Sequence, residues 1–522
     1  MNKTAVIIIG VCLTILFGVP MIFRGDYVER SENARQVIII SPHNEQIRHE
    51  FGEGFAKWHS RNFGEDAEVV WSVPGGTSEI RRMLQSQYTH ALEIGNEPGG
   101  EADLVFGGGS YEHTVLKKTI TEVRNGKEVS ITISAPVFFS DEMIADVYGE
   151  NSIGDVTLYD PEGHWYGLAL SGFGIVYNNE ILEELQLDSP QKWEALCNPM
   201  LLGKLALVNP AQSGSVTTAF EAILKNLGWI RGWEVMRRAA ANSRYFSASS
   251  LKPPADVSQG DAAMGICIDF YGRYQSQAVR NADGTSRIGY IDPPNATMID
   301  PDPISLLTGA PNKEIALRFM QYCMTEEAQA LWQFSAQDSN EDGLGPDTWE
   351  LRRMPIRRDM YVLHMDRMID QVNPFESARP APYPDKNMRS FIAPIFSGMA
   401  MNHHEDLVAA WTAIISHPAY PETVDIVTAE DVDNVQLKAM LTAFDAMPTF
   451  ATKSGDELSM ESKDNRKALK YGWMRKSDWN ENGNLWHVES NGTETMRRLA
   501  AEFFIHQYEL VVEESVSSEH SQ

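Results

Sequence analysis

Residues 259–274, QGDAAMGICIDFYGRY, contain a short apolar run that ends abruptly in polar side chains. Residues 264–268 are too few for a helix and predict a strand buried on both faces. Asp269, Tyr271, Arg273 and Tyr274 follow it. Ligands of open α/β sheets lie beyond the carboxyl ends of the strands, so the pattern favours a binding surface. A core strand followed by an ordinary exposed helix start is the alternative interpretation.

Other predicted strands of the chain end in similar polar or glycine-rich loops, and most of these loops begin a helix. The strands are residues 36–40, 68–73, 102–106 and 205–208, and residues 165–177 form two β-rich pieces around Ser171. If the carboxyl ends of these strands face one cleft, their loops meet there. The candidate ligand-binding residues are His43, Gly75, Gly76, Thr77, Gly108, Gly109, Ser110, Ser171, Ser213, Ser215, Asp269 and Tyr271.

The chemistry of these loops suits an anion. Thr77 or Ser78 can cap the helix that follows it, and the free N–H groups of a helix amino end attract negative charge. The run Gly107–Gly108–Gly109 allows the backbone to approach a ligand closely, at an entropic cost that a simple connection does not require. An ordinary tight turn and cap remains the alternative for residues 75–78.

Composition excludes several function classes. The net charge of −28, from 44 basic and 72 acidic residues, would repel phosphate backbones and anionic membrane surfaces, so nucleic acid is not an expected partner. The four cysteines show no CxxC spacing, which gives no support for a disulfide framework or a zinc cluster. The chain contains no G-x-S-x-G elbow or H-E-x-x-H helix, so we do not expect an enzyme.

The N-terminus carries a candidate membrane segment. Residues 5–23 contain no charge and lie between Lys3 and Arg24, which is long enough to cross a hydrocarbon core. The exit sequence PMIFRG does not resemble a signal-peptidase site. Residues 1–25 are therefore predicted to be a transmembrane anchor on an exported protein, with a cleaved signal as the alternative.

The C-terminal part is predicted to be a mainly helical extension, residues 346–522. It contains a local basic patch, LRRMPIRRDM at residues 351–360. In an acidic protein such a patch is typical of a solvated helix and turn that pairs with nearby acids. The sequence gives no role for this extension.

Six segments together resemble the extracellular solute-binding proteins of ATP-binding-cassette importers, and within them the ferric-iron-type cluster. They are VIIISPHNEQIRHEFGEGFAKWH, ADLVFGGGSYEH, WYGLALSGFGIVYN, NPAQSGSVTTAF, VSQGDAAMGICIDFYGRY and DPISLLTGAPNKEIALRFMQYCMTEEAQALW, within about residues 36–332. The resemblance implies a two-lobed α/β fold of the class II periplasmic binding proteins. Lobe one would comprise residues 36–135 with about 286–345, and lobe two residues 136–285.

The resemblance also implies a ligand set that this chain meets only in part. Ferric-binding members hold iron with a histidine, a carboxylate and paired tyrosines, oxygen-rich ligands that suit hard Fe(III). His43 and Tyr271 match two of these positions, whereas Phe270 and a glycine stand at the other two. Fe(III) as cargo would then require a substitute ligand, the candidates being Asp269, Tyr274 and His113. A small oxyanion is the alternative ligand.

The resemblance therefore predicts a monomeric carrier that delivers a small ligand, either a metal ion or an oxyanion, to a membrane permease. No cofactor is predicted. The lobes would close about crossovers near residues 134–138 and 288–292. A membrane-tethered ligand sensor is the alternative function, and a periplasmic hydrolase is the rival from another class.

Overall fold

A computed structural model of the protein describes residues 34–124, 127–336, 343–422, 426–451, 456–473 and 492–517. Within these ranges the strands are β1 Arg35–Ile40, β2 Ala67–Ser72, β3 Leu104–Phe106, β4 Thr119–Arg124, β5 Lys127–Thr132, β6 Ser134–Ala135, β7 Tyr166–Ser171, β8 Phe173–Asn178, β9 Leu205–Val208, β10 Ser243–Ser247, β11 Met264–Ile268, β12 Ile288–Ile291, β13 Asp300–Leu307, β14 Met354–Pro355, β15 Thr449–Ala451 and β16 Glu457–Ser459.

The α-helices fall into three groups along the chain. The helices before β7 are α1 Glu45–Phe63, α2 Thr77–Ile94, α3 Ser110–Leu116 and α4 Asp141–Tyr148. The next are α5 Asn179–Glu184, α6 Gly214–Leu227, α7 Trp229–Ala241, α8 Lys252–Gln259, α9 Asp269–Ala278, α10 Lys313–Cys323 and α11 Glu326–Gln333. The last are α12 Met360–Leu363, α13 Pro374–Ser377, α14 Arg389–Phe396, α15 His404–Ile415, α16 Val435–Asp445, α17 Lys463–Trp473 and α18 Gly492–Ser517.

Lobe one is built on a seven-stranded sheet with the order β14-β7-β13-β3-β1-β2, and β6 pairs with β13. Strands β3, β1 and the edge strand β2 are parallel to one another. Helix α1 begins at its Asn44 cap, whose side chain accepts a hydrogen bond from Ile47 N at 3.0 Å. The apolar stripe that contains Phe51 and Phe55 is fully buried. Phe51 packs against Trp332 at 4.4 Å between ring centroids, which fixes α1 and α11 on the same face of the sheet.

Lobe two is built on a five-stranded sheet with the order β10-β9-β11-β8-β12. The strand β11, predicted as residues 264–268, has these bounds in the structure and is buried along its whole length. It runs parallel to β9 and antiparallel to β8. Helices α6 and α7 pack on each other, and α6 also packs on β11. The predicted two-lobed α/β architecture is therefore present.

The chain passes from lobe one to lobe two at a different place from the predicted one, whereas its return begins within the predicted residues 288–292. Strand β7 belongs to lobe one and β8 to lobe two, so the first crossing lies at Gly172. Strand β6, within the predicted hinge at residues 134–138, pairs with β13 inside lobe one. The second crossing follows Ile291. A Cβ atom at Gly172 would lie 2.6 Å from Asp292 Oδ1, so the two crossing segments approach each other closely there.

The described part of the C-terminal extension is mainly helical, and it contacts both lobes. Its short strand β14 pairs with β7 at the edge of the lobe-one sheet. Its helices α14 and α15 pack on α6 and α7 of lobe two. The fully buried Arg238 of lobe two pairs with Asp445 at 2.6 Å, and Trp411 Nε1 donates to Asn242 Oδ1 at 2.9 Å. These buried polar contacts make the extension an integral part of the folded protein.

The predicted N-terminal anchor, residues 1–25, lies outside the described residues. Among the helices that the structure does describe, none combines the length and the apolar composition needed to cross a bilayer.

Candidate functional site

His43 lies directly after β1 at the junction of the lobes, and it is almost completely buried. Asp302 Oδ2 lies 2.7 Å from its Nε2 atom, and Arg353 Nη1 lies 3.0 Å from the same atom. Burial lowers the pKa of His43, Asp302 raises it, and Arg353 lowers it, with a net downward shift. The imidazole is therefore neutral at neutral pH and is held inside the protein by two charged side chains.

Arg353 belongs to the C-terminal extension, and its guanidinium lies between the lobes with 4% of the side chain exposed. It forms an ion pair with Asp302, and its Nη2 donates to Ser171 Oγ at 3.0 Å. On the other side its Cζ atom lies 4.5 Å from the ring centroid of Phe270 of lobe two. The prediction that residues 351–360 form a solvated basic patch is wrong, because most of this segment is buried and its arginines pair with internal acids.

The glycine-rich loop after β3 binds carboxylates of the chain itself. Gly108 N donates to Asp302 Oδ1 at 2.9 Å. Ser110 donates to Asp300 twice, from its backbone N at 3.1 Å and from its Oγ at 2.6 Å. Burial raises the pKa of Asp302, but Arg353 and His43 outweigh it and hold the pKa well below its usual range. The donors predicted for an external anion at Gly108 and Ser110 are thus occupied by β13 in this state.

Gly107 and Gly109 have steric roles in the same loop. Gly107 has φ +100°, and a Cβ atom there would lie 2.7 Å from His43 Nε2. A Cβ atom at Gly109 would lie 2.9 Å from Asp300 Oδ2. The glycine run therefore admits the His43 ring and the Asp300 carboxylate, which accounts for its composition without a ligand.

The amino ends of α2 and α6 face each other across the junction of the lobes. Gly214 N at the start of α6 donates to Thr77 Oγ1 at 3.2 Å. Ser213 caps α6 by accepting from Val216 N at 3.3 Å. The side chain of Ser215, half-buried, has no hydrogen-bond partner among the described residues. Thr77 therefore lies beside the segment Ser213–Ser215, although Thr77 and Gly214 are 137 positions apart in the sequence.

Gly75 and Gly76 form the turn before α2. Gly76 N donates to Glu79 Oε2 at 2.9 Å, which uses one of the amide groups at this helix end. A Cβ atom at Gly76 would lie 3.3 Å from Gln212 O of lobe two. Gly76 thus lies close to the loop before α6, whereas a Cβ atom at Gly75 would meet the Glu79 side chain.

Arg389, the first residue of α14, is a second extension arginine at the lobe junction. Its Nη1 donates to Thr218 Oγ1 at 2.8 Å and to Glu221 Oε2 at 3.1 Å, both in lobe two. From lobe one, the Tyr111 ring centroid lies 4.5 Å from its Cζ atom, and Glu112 Oε1 lies 3.9 Å from its Nη2. Neither Arg353 nor Arg389 was a candidate from the sequence, because no local pattern connects them to loops more than 100 residues away.

Asp269 was predicted to line the cleft, but its side chain does not reach it. The residue is fully buried beneath the first crossing, where its N–H donates to Gly172 O at 3.0 Å. Its Oδ2 atom has no hydrogen-bond partner among the described residues, and Arg273 Nη2 lies 3.9 Å away. Burial raises the pKa of Asp269 to about 7, and Arg273 opposes this only in part. Asp269 is thus a buried acid at the hinge, and the helix geometry at the end of β11 turns it inward.

Tyr271 lies beside the lobe junction, with its ring centroid 4.0 Å from that of Phe270. Burial raises the pKa of its phenol to about 12, so the phenolate that Fe(III) prefers is disfavoured. His113, a possible substitute ligand, is buried within lobe one, where its Nδ1 contacts Ser305 Oγ at 2.7 Å. Tyr274 Oη accepts a hydrogen bond from Gln46 Nε2 at 3.3 Å. Among the described residues no group of three His, Cys, Asp or Glu side chains could hold a metal ion.

Comparisons with known proteins agree with the two-lobed architecture. Residues 140–344 match the family model described as bacterial extracellular solute-binding protein, which confirms the resemblance over this segment. The substrate binding protein of the ABC transporter from Agrobacterium tumefaciens has a similar structure, with a TM-score of 0.51 and 15% identity, covering 70% of this chain and 94% of that one. At this identity the likeness shows the fold alone.

Two curated relatives match shorter parts of the chain. An uncharacterized protein from Haemophilus influenzae is 24% identical over 174 residues, which are 33% of this chain and 48% of the relative. The phosphoglycerate transport regulatory protein PgtC from Salmonella typhimurium is 28% identical over 104 residues, which are 20% of this chain and 26% of the relative. The matched region thus spans about half or less of each relative.

Proposed function

We propose that the chain is a solute-binding protein of an ATP-binding-cassette importer that captures a small oxyanion between its lobes and delivers it to a membrane permease. The observation that carries the proposal is the meeting of two helix amino ends from opposite lobes at Thr77 and Gly214. Backbone N–H groups and the helix dipole favour negative charge at such ends. Ser215 adds an unpaired hydroxyl at the same place.

The charges at the lobe junction favour an oxyanion over Fe(III). Nε2 of His43 already contacts both Asp302 and Arg353, so a metal cation could bind this atom only after the buried ion pair is broken. The phenol of Tyr271 has its pKa raised to about 12, which opposes its use as an iron ligand. A phosphate ester or a carboxylate instead gains from hydroxyl and amide donors. The name of the relative PgtC, which refers to phosphoglycerate, is consistent with an organic phosphate as ligand.

The proposal assigns no catalytic step to the chain. In the proposal the binding lobes lie on the outer side of the cytoplasmic membrane, which the match to a family of extracellular binding proteins supports. Its partners in the proposal are the ligand and a permease, and capture requires the lobes to separate and close again. The nearest charged groups matter more for an anion in the cleft than the net charge of −28. The nearby Glu112 carboxylate, which accepts from Ser78 Oγ at 3.3 Å, is paired with Arg81 and lies 3.9 Å from Arg389 Nη2.

Titration calorimetry with Thr77→Val tests the proposal. The full chain is titrated with phosphoglycerate, inorganic phosphate and Fe(III)–citrate, and the tightest anion is then titrated into the variant. Loss of a hydrogen bond to a charged ligand should weaken binding by about 1.5–3 kcal/mol. The matched control is Thr442→Val, because among the described residues this exposed hydroxyl bonds only within its own helix, to Lys438 O at 2.7 Å. Equal affinity of both variants for the anion would place the ligand elsewhere.

A further inference from the structure

The C-terminal extension connects the two lobes independently of any ligand. Its strand β14 is hydrogen-bonded to β7 of lobe one. Its helix α14 packs on α6 of lobe two. A segment that is attached to both lobes restricts their separation, because opening must break one of these two attachments or bend the chain between them. This connection lies outside the two crossings at Gly172 and after Ile291.

The single side chain of Arg389 contacts both lobes. In lobe two it bonds the Glu221 carboxylate and Thr218, and its Nη2 donates to Gly214 O at 3.3 Å. In lobe one it lies over the Tyr111 ring and close to Glu112. Only 8% of the side chain is exposed, so solvent screens these interactions weakly.

The carboxylates around Arg389 come from both lobes. Glu112 belongs to α3 of lobe one, and Glu221 belongs to α6 of lobe two. Both side chains are 8% exposed. Arg81 and Lys225 neutralise each of them within its own lobe, through contacts of Arg81 with Glu112 and of Lys225 with Glu221. Arg389 is the cation that lies between them and touches both lobes.

Arg353 provides a second contact of the same kind. Its partners Asp302, Ser171 and His43 belong to lobe one, and the Phe270 ring on its other side belongs to lobe two. Phe270 stands where the ferric-binding pattern has a tyrosine, and an aromatic face without a hydroxyl group suits a guanidinium. Both extension arginines therefore lie between the lobes and contact each of them. In a solute-binding protein a ligand at this place would hold the two lobes together.

We propose that the C-terminal extension is a built-in latch that holds the lobes closed without ligand, with Arg389 as the positioning residue that joins Glu221 of lobe two to Tyr111 and Glu112 of lobe one. The latch rests on the proposed function only in treating the lobe junction as the ligand site. A ligand must then release Arg389 before it can enter, so the extension sets the affinity of the cleft as well as its resting shape.

The distance between the lobes in the absence of ligand tests the latch. Spin labels are placed on Cys residues introduced at Glu93 of α2 and Glu183 of α5, both exposed and in different lobes. Three native cysteines are buried, and Cys12 is replaced by serine. Double electron–electron resonance on the ligand-free full chain should give one short-distance population for the wild type. Arg389→Gln should shift the population to longer distances.

Two further variants complete the test. Arg497→Gln removes an arginine of the extension that pairs only with Glu494 on its own helix among the residues described, so it should leave the distance unchanged. Tyr111→Leu removes the partly exposed ring under Arg389 and should shift part of the population, which decides the matter if Arg389→Gln does not fold.

The latch is overturned if the folded Arg389→Gln variant keeps the wild-type distances, or if Tyr111→Leu does so when Arg389→Gln fails to fold. A wild type that is open without ligand would also overturn it. These outcomes concern closure without ligand, so they are independent of whether the cleft binds an oxyanion. The calorimetric titration can therefore fail while the latch stands, and the reverse also holds.

Discussion

Replacing Arg353 with glutamine should destabilise the protein strongly, because it leaves a buried carboxylate without its cation. Asp302 is 3% exposed and would keep only the hydrogen bonds from Gly108 N and from His43. Removing one partner of a buried ion pair costs about 3–5 kcal/mol. The two remaining hydrogen bonds place the expected loss near the lower end, at about 3 kcal/mol of unfolding free energy.

The matched control is Arg61→Gln. Arg61 pairs with Glu327 on the surface, where the arginine side chain is 60% exposed. An exposed pair contributes at most about 1 kcal/mol, so this variant should differ little from the wild type. Both variants are compared by urea unfolding at pH 7, followed by tryptophan fluorescence and by circular dichroism.

The effect of Arg353→Gln should also depend on pH. Asp302 has a depressed pKa in the folded protein, so it contributes stability above its unfolded pKa of about 4 and loses that contribution as the pH falls. The difference in stability between wild type and Arg353→Gln should therefore shrink below about pH 4. A loss at pH 7 no larger than that of Arg61→Gln, or a difference that grows in acid, would refute the assignment of Arg353 to a buried pair.

Three other variants probe single residues. Burial raises the folded pKa of Asp269 to about 7, above its unfolded value of about 4, so wild-type stability should fall as the pH rises from 4 to 7. In pH-dependent melting curves Asp269→Asn should lack this fall. Tyr271→Phe should leave the absorption spectrum with Fe(III)–citrate unchanged, because the wild type forms no phenolate-to-iron band; a band abolished by the substitution would support iron instead. Gly107→Ala should cost more than about 1 kcal/mol in urea unfolding and exceed Gly203→Ala, since Gly203 shares a positive φ but has open space at its Cβ position, and equal losses would argue against the His43 contact.

Local patterns predicted the strands and the loops that follow them. Strand β11 has the predicted bounds, and Thr77 and Ser213 approach the same place because both start helices at the carboxyl ends of strands. The position of the boundary between the lobes was harder to predict from the sequence. Residues 165–177 were predicted to form two β-rich pieces around Ser171, but periodicity does not tell which sheet each piece joins, so the crossing at Gly172 required the strand pairing.

The cations of the site could not be predicted from local sequence. Arg353 contacts His43 across 310 positions, and Arg389 contacts Glu221 across 168. A local charge pattern predicts that an arginine-rich stretch is exposed to solvent, because the acidic residues that pair with it in the folded protein lie far away in the sequence. The prediction that Asp269 lines the cleft was wrong for a different reason. The turn from β11 into α9 directs the Asp269 side chain toward the hinge.

Native mass spectrometry of the full chain purified from its own host tests the central claim most directly. The account predicts an adduct with the mass of a small organic phosphate or carboxylate, which is retained in Thr442→Val and reduced in Thr77→Val. An adduct with the mass of iron that requires His43 or Tyr271 would contradict it, as would an anion adduct that Thr77→Val leaves unchanged.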